Sequence, residues 1–162
     1  MLYQEQIIKT VTLKSKLDEK ISACMMYGSF TKGEGDQFSD VEFYVFVKEE
    51  QFSSFDSSHW INEIAPNDLL LENEYGTEVV IFTHLVRGEF HFLPESKMDI
   101  IESFKPTGVF PNTDSMFIYD RTGKLKPLLK FLGGSGPYRS TNENVNYAFN
   151  CIMIIKLLNF DY

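Results

Sequence analysis

Two periods of apolar and polar residues alternate along this chain. Over residues 2–20, Ile7, Ile8, Val11 and Leu17 recur at near-helical spacing among Lys, Gln and Glu, which predicts an amphipathic helix packed on a sheet. The run ISACMMY, Ile21–Tyr27, is short, apolar and ended by Gly28, as a buried strand should be. Residues 28–39 then form a turn, with a short helix starting near Ser29. Over 40–47 the β-branched and aromatic run VEFYVFV returns the chain to a strand.

A loop and short helix follow through 51–64, with Asp56 or Ser57 as N-cap and Trp60, Ile61 and Ile64 on one face; Pro66 ends it. Residues 68–72 and 77–82 read as the arms of a hairpin. In RGEFHFL, residues 87–93, the alternation places Arg87, Glu89 and His91 on one face and Gly88, Phe90 and Phe92 on the other. Helical spacing returns over 96–104, and 116–120 reads as a short strand or extended segment. GGSGP opens a linker over 133–139. An apolar helix then starts at Ser140 or Thr141, too hydrophobic all round to stand without a partner surface. The fold class is therefore α/β of the α+β kind: a mixed β-sheet that carries the acids, with helices on its other face, and a C-terminal helix. The predicted domains are 1–132, the linker 133–139, and 140–162 as the start of a helical unit.

Composition narrows the function classes. At 162 residues with 43 % hydrophobic content the chain can bury a single core. No run reaches the ~18 apolar residues of a membrane span, and the N-terminus lacks the pattern of a secretory signal, so a cytoplasmic protein is expected. The two cysteines, Cys24 and Cys151, sit in apolar surroundings without metal-ligand spacing and read as buried reduced thiols. The net charge of −8 has no basic cluster to offset it, which argues against a nucleic-acid polymer as partner. A single nucleotide stays open, because divalent cations can screen its phosphates from protein carboxylates.

The chemistry concentrates in GSFTKGEGDQFSDVEFY, residues 28–44. Gly28 and Gly33 have the spacing of a P-loop, but Glu34 and Gly35 stand where its Lys and Ser/Thr belong. Asp40 and Glu42, two apart on a strand, point the same way with Cα atoms about 6.5–7 Å apart and can share a cation. Mg²⁺ takes one or two carboxylates together with water and phosphate oxygens. Glu89 is the candidate third acid, as a metal ligand and as general base for an attacking hydroxyl. Gly28 would let the backbone approach a polyphosphate, and Ser29 and Ser39 would offer hydroxyl and amide donors. Lys32 and Arg87 are single cations that either assist or serve as surface charges. An isolated D-x-E is ordinarily a solvated pair; the glycine turn before it is what points to a site. Glu78 reads as a strand-end surface acid, His59 and His84 as surface residues, His91 as a weak candidate on Glu89's face, and Tyr27 and Tyr44 as packing residues.

Gly28-Ser29, a further glycine, then Asp40-x-Glu42 on a strand resembles the signature of the polymerase-β-like nucleotidyltransferases. MMYGSFTKGEGDQFSDVEFYVF, NEYGTEVVIF and RGEFHFLP are similar to lincosamide nucleotidyltransferases of the longer type, antibiotic-resistance enzymes, over most of the chain to about Asn150. The resemblance implies transfer of a nucleoside monophosphate from ATP or a similar triphosphate to a hydroxyl of the antibiotic, with release of pyrophosphate. It implies Asp40, Glu42 and Glu89 as Mg²⁺ ligands, Glu89 also as general base, and Gly28 and Ser29 as holders of the triphosphate. It further implies a helical domain that completes the acceptor pocket and a homodimer; 140–162 would be its beginning, cut short at Tyr162. Two alternatives go with it: a truncated nucleotide-binding module of weak or no activity, and a minimal nucleotidyltransferase that modifies a protein.

Overall fold

The computed structural model of the protein describes residues 1–106 and 108–134. The predicted helix over 140–162, with Cys151, lies outside the described residues, and of the predicted linker only Gly133 and Gly134 are described.

Helix α1 (Tyr3–Leu17) buries Gln4, Ile7, Val11 and Ser15, a stripe of helical period. Leu17, expected on that stripe, is 80 % exposed, because at 3.6 residues per turn it falls about a third of a turn away from Gln4, Ile7, Val11 and Ser15. β1 (Ile21–Tyr27) follows, then a four-residue helix α2 (Ser29–Lys32) and β2 (Val41–Val47). Over the next stretch the expected short helix is α4 (Ser57–Asn62), and a further four-residue helix, α3 (Glu49–Phe52), precedes it. Asp56 caps α4 by accepting the His59 backbone N–H at 2.8 Å, which leaves Trp60 and Ile61 buried as expected. The hairpin is β3 (Asn67–Glu72) and β4 (Glu78–Phe82), and the alternating strand is β5 (Val86–Pro94). The 95–104 segment is 3₁₀ rather than α-helical. β6 (Phe117–Asp120) and a helix that the sequence reading did not anticipate, α5 (Leu125–Leu132), complete the described chain.

The six strands form one mixed sheet in the order β3-β4-β5-β2-β1-β6. Only β2 and β5 are parallel; the other neighbouring pairs are antiparallel. One face packs Cys24, Phe43, Val45 and Phe90 against Ile7 and Val11 of α1 and Trp60 and Ile61 of α4. Burial pushes the Cys24 thiol up to about 12, in keeping with an inert buried residue. The other face packs Ala23, Met25 and Phe46 against Met98 and Ile101 of the 3₁₀ segment and Leu125, Leu129 and Leu132 of α5. The mixed sheet with helices packed on it is the fold class expected from the sequence; beyond the expected cover on the face opposite the acids, the 3₁₀ segment and α5 also cover part of the acid-bearing face.

Glu78 is also corrected. It is 6 % exposed rather than a surface acid, and it accepts a hydrogen bond from the Ser57 hydroxyl at the start of α4. The pairing of β4 with β3 and β5 places it inside the sheet, beside Phe90.

Candidate active site

The acids gather where β1 ends, β2 begins and β5 runs beside it. Parallel register sets Glu42 next to Glu89 and Val41 next to Gly88, while antiparallel register sets Tyr27 next to Glu42. Asp40 lies one residue before β2, so the strand starts a residue later than the sequence suggests. Three carboxylates that are remote in sequence, Asp40, Glu42 and Glu89, thus share one neighbourhood, and the charges of Glu89 and Asp40 both act on Glu42.

That crowding has an electrostatic consequence. Burial, then the charges of Glu89 and Asp40, hold the Glu42 carboxyl above the ordinary glutamate range, with Arg87 and Lys32 pulling the other way. Lys32, whose direction the sequence leaves open, is therefore close enough to bear on Glu42. Arg87 does more. Its Nη1 donates to Asp40 Oδ2 at 2.7 Å and its Nη2 donates to Glu89 Oε1, so one guanidinium spans two of the three acids.

Gly28 is required for steric and conformational reasons alike. Its φ of 86° lies in the region that side-chain-bearing residues avoid, and a Cβ built there would fall within the Glu42 carboxyl group. The Gly28 carbonyl accepts the Thr31 hydroxyl at 2.7 Å, which ties the turn to α2. Ser29 opens α2, and its carbonyl accepts the Glu34 N–H at 3.0 Å. The Ser39 hydroxyl is engaged in its own loop: it donates to Asp36 Oδ1 at 2.9 Å and accepts the Asp36 N–H at 3.1 Å.

Gln4 was not singled out by sequence reasoning. Buried Gln4 of α1 donates to the carbonyls of Gln37 and Ser39 at 2.9 and 3.1 Å, which anchors the loop just ahead of Asp40. The signal for it was available: an amide on the buried stripe of α1 needs partners. Behind Glu89, His91 is held on every side. Its Nε2 pairs with the Tyr27 hydroxyl at 2.9 Å and its Nδ1 with the Thr77 hydroxyl at 3.2 Å, and its ring stacks on Tyr44 with centroids 4.3 Å apart. Burial lowers the His91 pKa, and the Glu89 charge only partly offsets this, so the ring is neutral at pH 7. Burial, followed by the Glu42, Tyr44 and Glu89 charges, keeps Tyr27 protonated. Tyr27 and Tyr44 are thus packing residues, as expected, and Tyr27 is in addition a fixed hydroxyl in a polar layer.

The donor chemistry suits a hard divalent cation: every candidate ligand is a carboxylate oxygen, and Glu42 bears the repulsion of two others. As the side chains stand, no group of three or more His, Cys, Asp or Glu has ion-holding geometry among the described residues. What stands between Asp40 and Glu89 is Arg87.

No protein-family profile matches this chain, and no curated protein matches it. Nine chains of solved structure are similar to it. One is the crystal structure of an aminoglycoside 6-adenyltransferase from Bacillus subtilis, with a TM-score of 0.43 and 16 % identity, covering 61 % of this chain and 38 % of that one. This chain therefore spans well under two thirds of that protein's length. A likeness so distant carries no weight for function, which has to be argued from the residues of the site. No described helix is long and apolar enough to cross a membrane.

Proposed function

We propose that the protein is a cytoplasmic, metal-dependent nucleotidyltransferase that moves a nucleoside monophosphate from ATP or another nucleoside triphosphate to a hydroxyl of a lincosamide antibiotic and releases pyrophosphate. The observation that carries this reading is the convergence of Asp40, Glu42 and Glu89 beside Gly28, a glycine whose missing side chain makes room for Glu42. The motif resemblance supports the acceptor class.

Asp40, Glu42 and Glu89 would hold Mg²⁺, which when bound supplies positive charge against the triphosphate oxygens. Gly28 and the Ser29 hydroxyl and amide receive the phosphates where the backbone is bare. The Ser39 hydroxyl is committed to Asp36, so its part is to shape the loop that presents Asp40. Glu89 accepts the proton of the acceptor hydroxyl as its oxygen bonds to the α-phosphorus; the bond from that phosphorus to the bridging oxygen breaks, and pyrophosphate leaves with the electron pair. Tyr27 and His91, joined through the Tyr27 hydroxyl and His91 Nε2, form a polar layer on the same side of the sheet as Glu89. Residues 140–162 would contribute to the acceptor side and to a homodimer.

The test incubates the protein with ATP or GTP, Mg²⁺ and clindamycin or a mock acceptor, and follows pyrophosphate release together with acceptor mass. Asp40→Asn should lower turnover by about 10²-fold or more, or roughly 3 kcal/mol of barrier. Equal turnover in the variant would remove Asp40 from the machinery. Nucleotide binding without a mass gain would identify a nucleotide-binding module instead, and modification of protein rather than antibiotic would identify the minimal transferase.

A further inference from the structure

We propose that Arg87 is an internal stand-in for the metal: it occupies the carboxylate site in the free protein, is displaced when a divalent cation binds, and then pairs with the triphosphate. The inference rests on the reading of Asp40, Glu42 and Glu89 as metal ligands and adds to it a mechanism that couples metal and nucleotide binding.

The geometry is specific. Arg87 and Glu89 are two apart on the same face of β5, so the guanidinium must fold back along its own strand to reach Glu89 Oε1 with Nη2. The same planar group reaches across to Asp40 Oδ2 with Nη1 at 2.7 Å, in the segment leading into β2. One cation thus bridges a carboxylate of β5 and one from the segment leading into β2, as a metal ion at this position would. The match is incomplete in charge. Three carboxylates face one guanidinium, and Glu42, paired in register with Glu89, makes no bond with Arg87. A divalent cation would relieve what Arg87 leaves unrelieved.

The arginine is also free to leave. Its side chain and that of Asp40 are each 41 % exposed, and a guanidinium at that depth loses little by exchanging one anionic partner for another. Triphosphate oxygens are such partners, and they suit the planar fork of Arg87. Metal binding by itself has to break two ion pairs with nothing to receive the arginine; metal arriving with a nucleoside triphosphate supplies the new partner. The free protein should therefore bind a divalent ion weakly and the ion–nucleotide pair well. A competing internal cation that is paired nine-tenths of the time lowers apparent metal affinity about tenfold.

The experiment measures Mn²⁺ binding by electron paramagnetic resonance on the full chain, with and without a non-hydrolysable ATP analogue, in wild type, Arg87→Met, Arg87→Lys and Asp40→Asn. Arg87→Met is expected to bind Mn²⁺ alone about tenfold more tightly than wild type, and Mn²⁺ with the analogue more weakly. Arg87→Lys keeps a charge that can reach one carboxylate at a time, so its affinity for Mn²⁺ alone should fall between the two; it also serves if Arg87→Met folds poorly in thermal denaturation. Unchanged or weakened Mn²⁺ binding in both Arg87 variants, with Asp40→Asn still losing it, overturns the role of Arg87 and leaves the metal site standing. Mn²⁺ binding that is indifferent to Asp40→Asn overturns both.

Discussion

The two faces of β5 make opposite use of the same backbone. Gly88 and Phe90 point into a packed layer where Phe90 lies on Phe43 with ring centroids 5.1 Å apart and meets Trp60 and Phe82 edge-on. Arg87, Glu89 and His91 point the other way, into a layer held by ion pairs and hydrogen bonds. On the first face each contact is non-directional and no alternative partner improves on it. On the second the half-exposed Arg87 has ionic partners that a ligand could replace at small net cost, while His91 stays fixed by Tyr27 and Thr77. One side of the strand supports the fold; the other holds an arginine poised to trade partners.

Substitutions can break that contrast. The largest expected effect is on the packed face: Phe90→Ala should cost about 3–5 kcal/mol in urea denaturation, because a fully buried ring is lost from an aromatic cluster. A cost below 1 kcal/mol would show that the layer readjusts and is not close-packed. Gly28→Ala, on the acid side, should cost less stability, about 1–3 kcal/mol of backbone strain, while displacing Glu42 and lowering Mn²⁺ affinity by more than Phe90→Ala does. If both variants lost stability equally and kept metal affinity, the division of labour between the faces would be wrong.

The smallest effect is electrostatic and sits at the rim of the packed face. The Lys14 ammonium of α1 donates to Glu63, just past α4, and its bond and charge lower the Glu63 pKa. A carboxyl with a depressed folded pKa contributes stability above its unfolded value of about 4.3 and loses it as pH falls through the folded value. Lys14→Met should therefore lower the melting temperature more at pH 7 than at pH 2, where only the contact of the Lys14 ammonium with the Trp60 ring remains to be lost. The Glu63 side-chain resonance should titrate at higher pH in the variant; an unmoved titration would remove the ion pair from consideration. Glu42 is displaced in the opposite direction, by burial and neighbouring acids, which repeats the contrast between the faces in terms of charge.

Much of this was legible in the chain. The period-two alternation over 87–93 placed Arg87, Glu89 and His91 together, and β1 runs from Ile21 to Tyr27 as the apolar run indicated. Composition and periodicity reach that far because they report which face a residue turns toward the core. They do not report neighbours across strands. That Glu42 lies beside Glu89 is a matter of parallel register, that Glu78 is buried follows from where β4 pairs, and that Arg87 spans Asp40 and Glu89 depends on a loop that Gln4 anchors from another element. Local sequence determined the strands, the glycine turn and the sidedness of the acids. Tertiary structure alone decided which charges meet, because Coulomb energies and hydrogen bonds depend on distances that register and packing set.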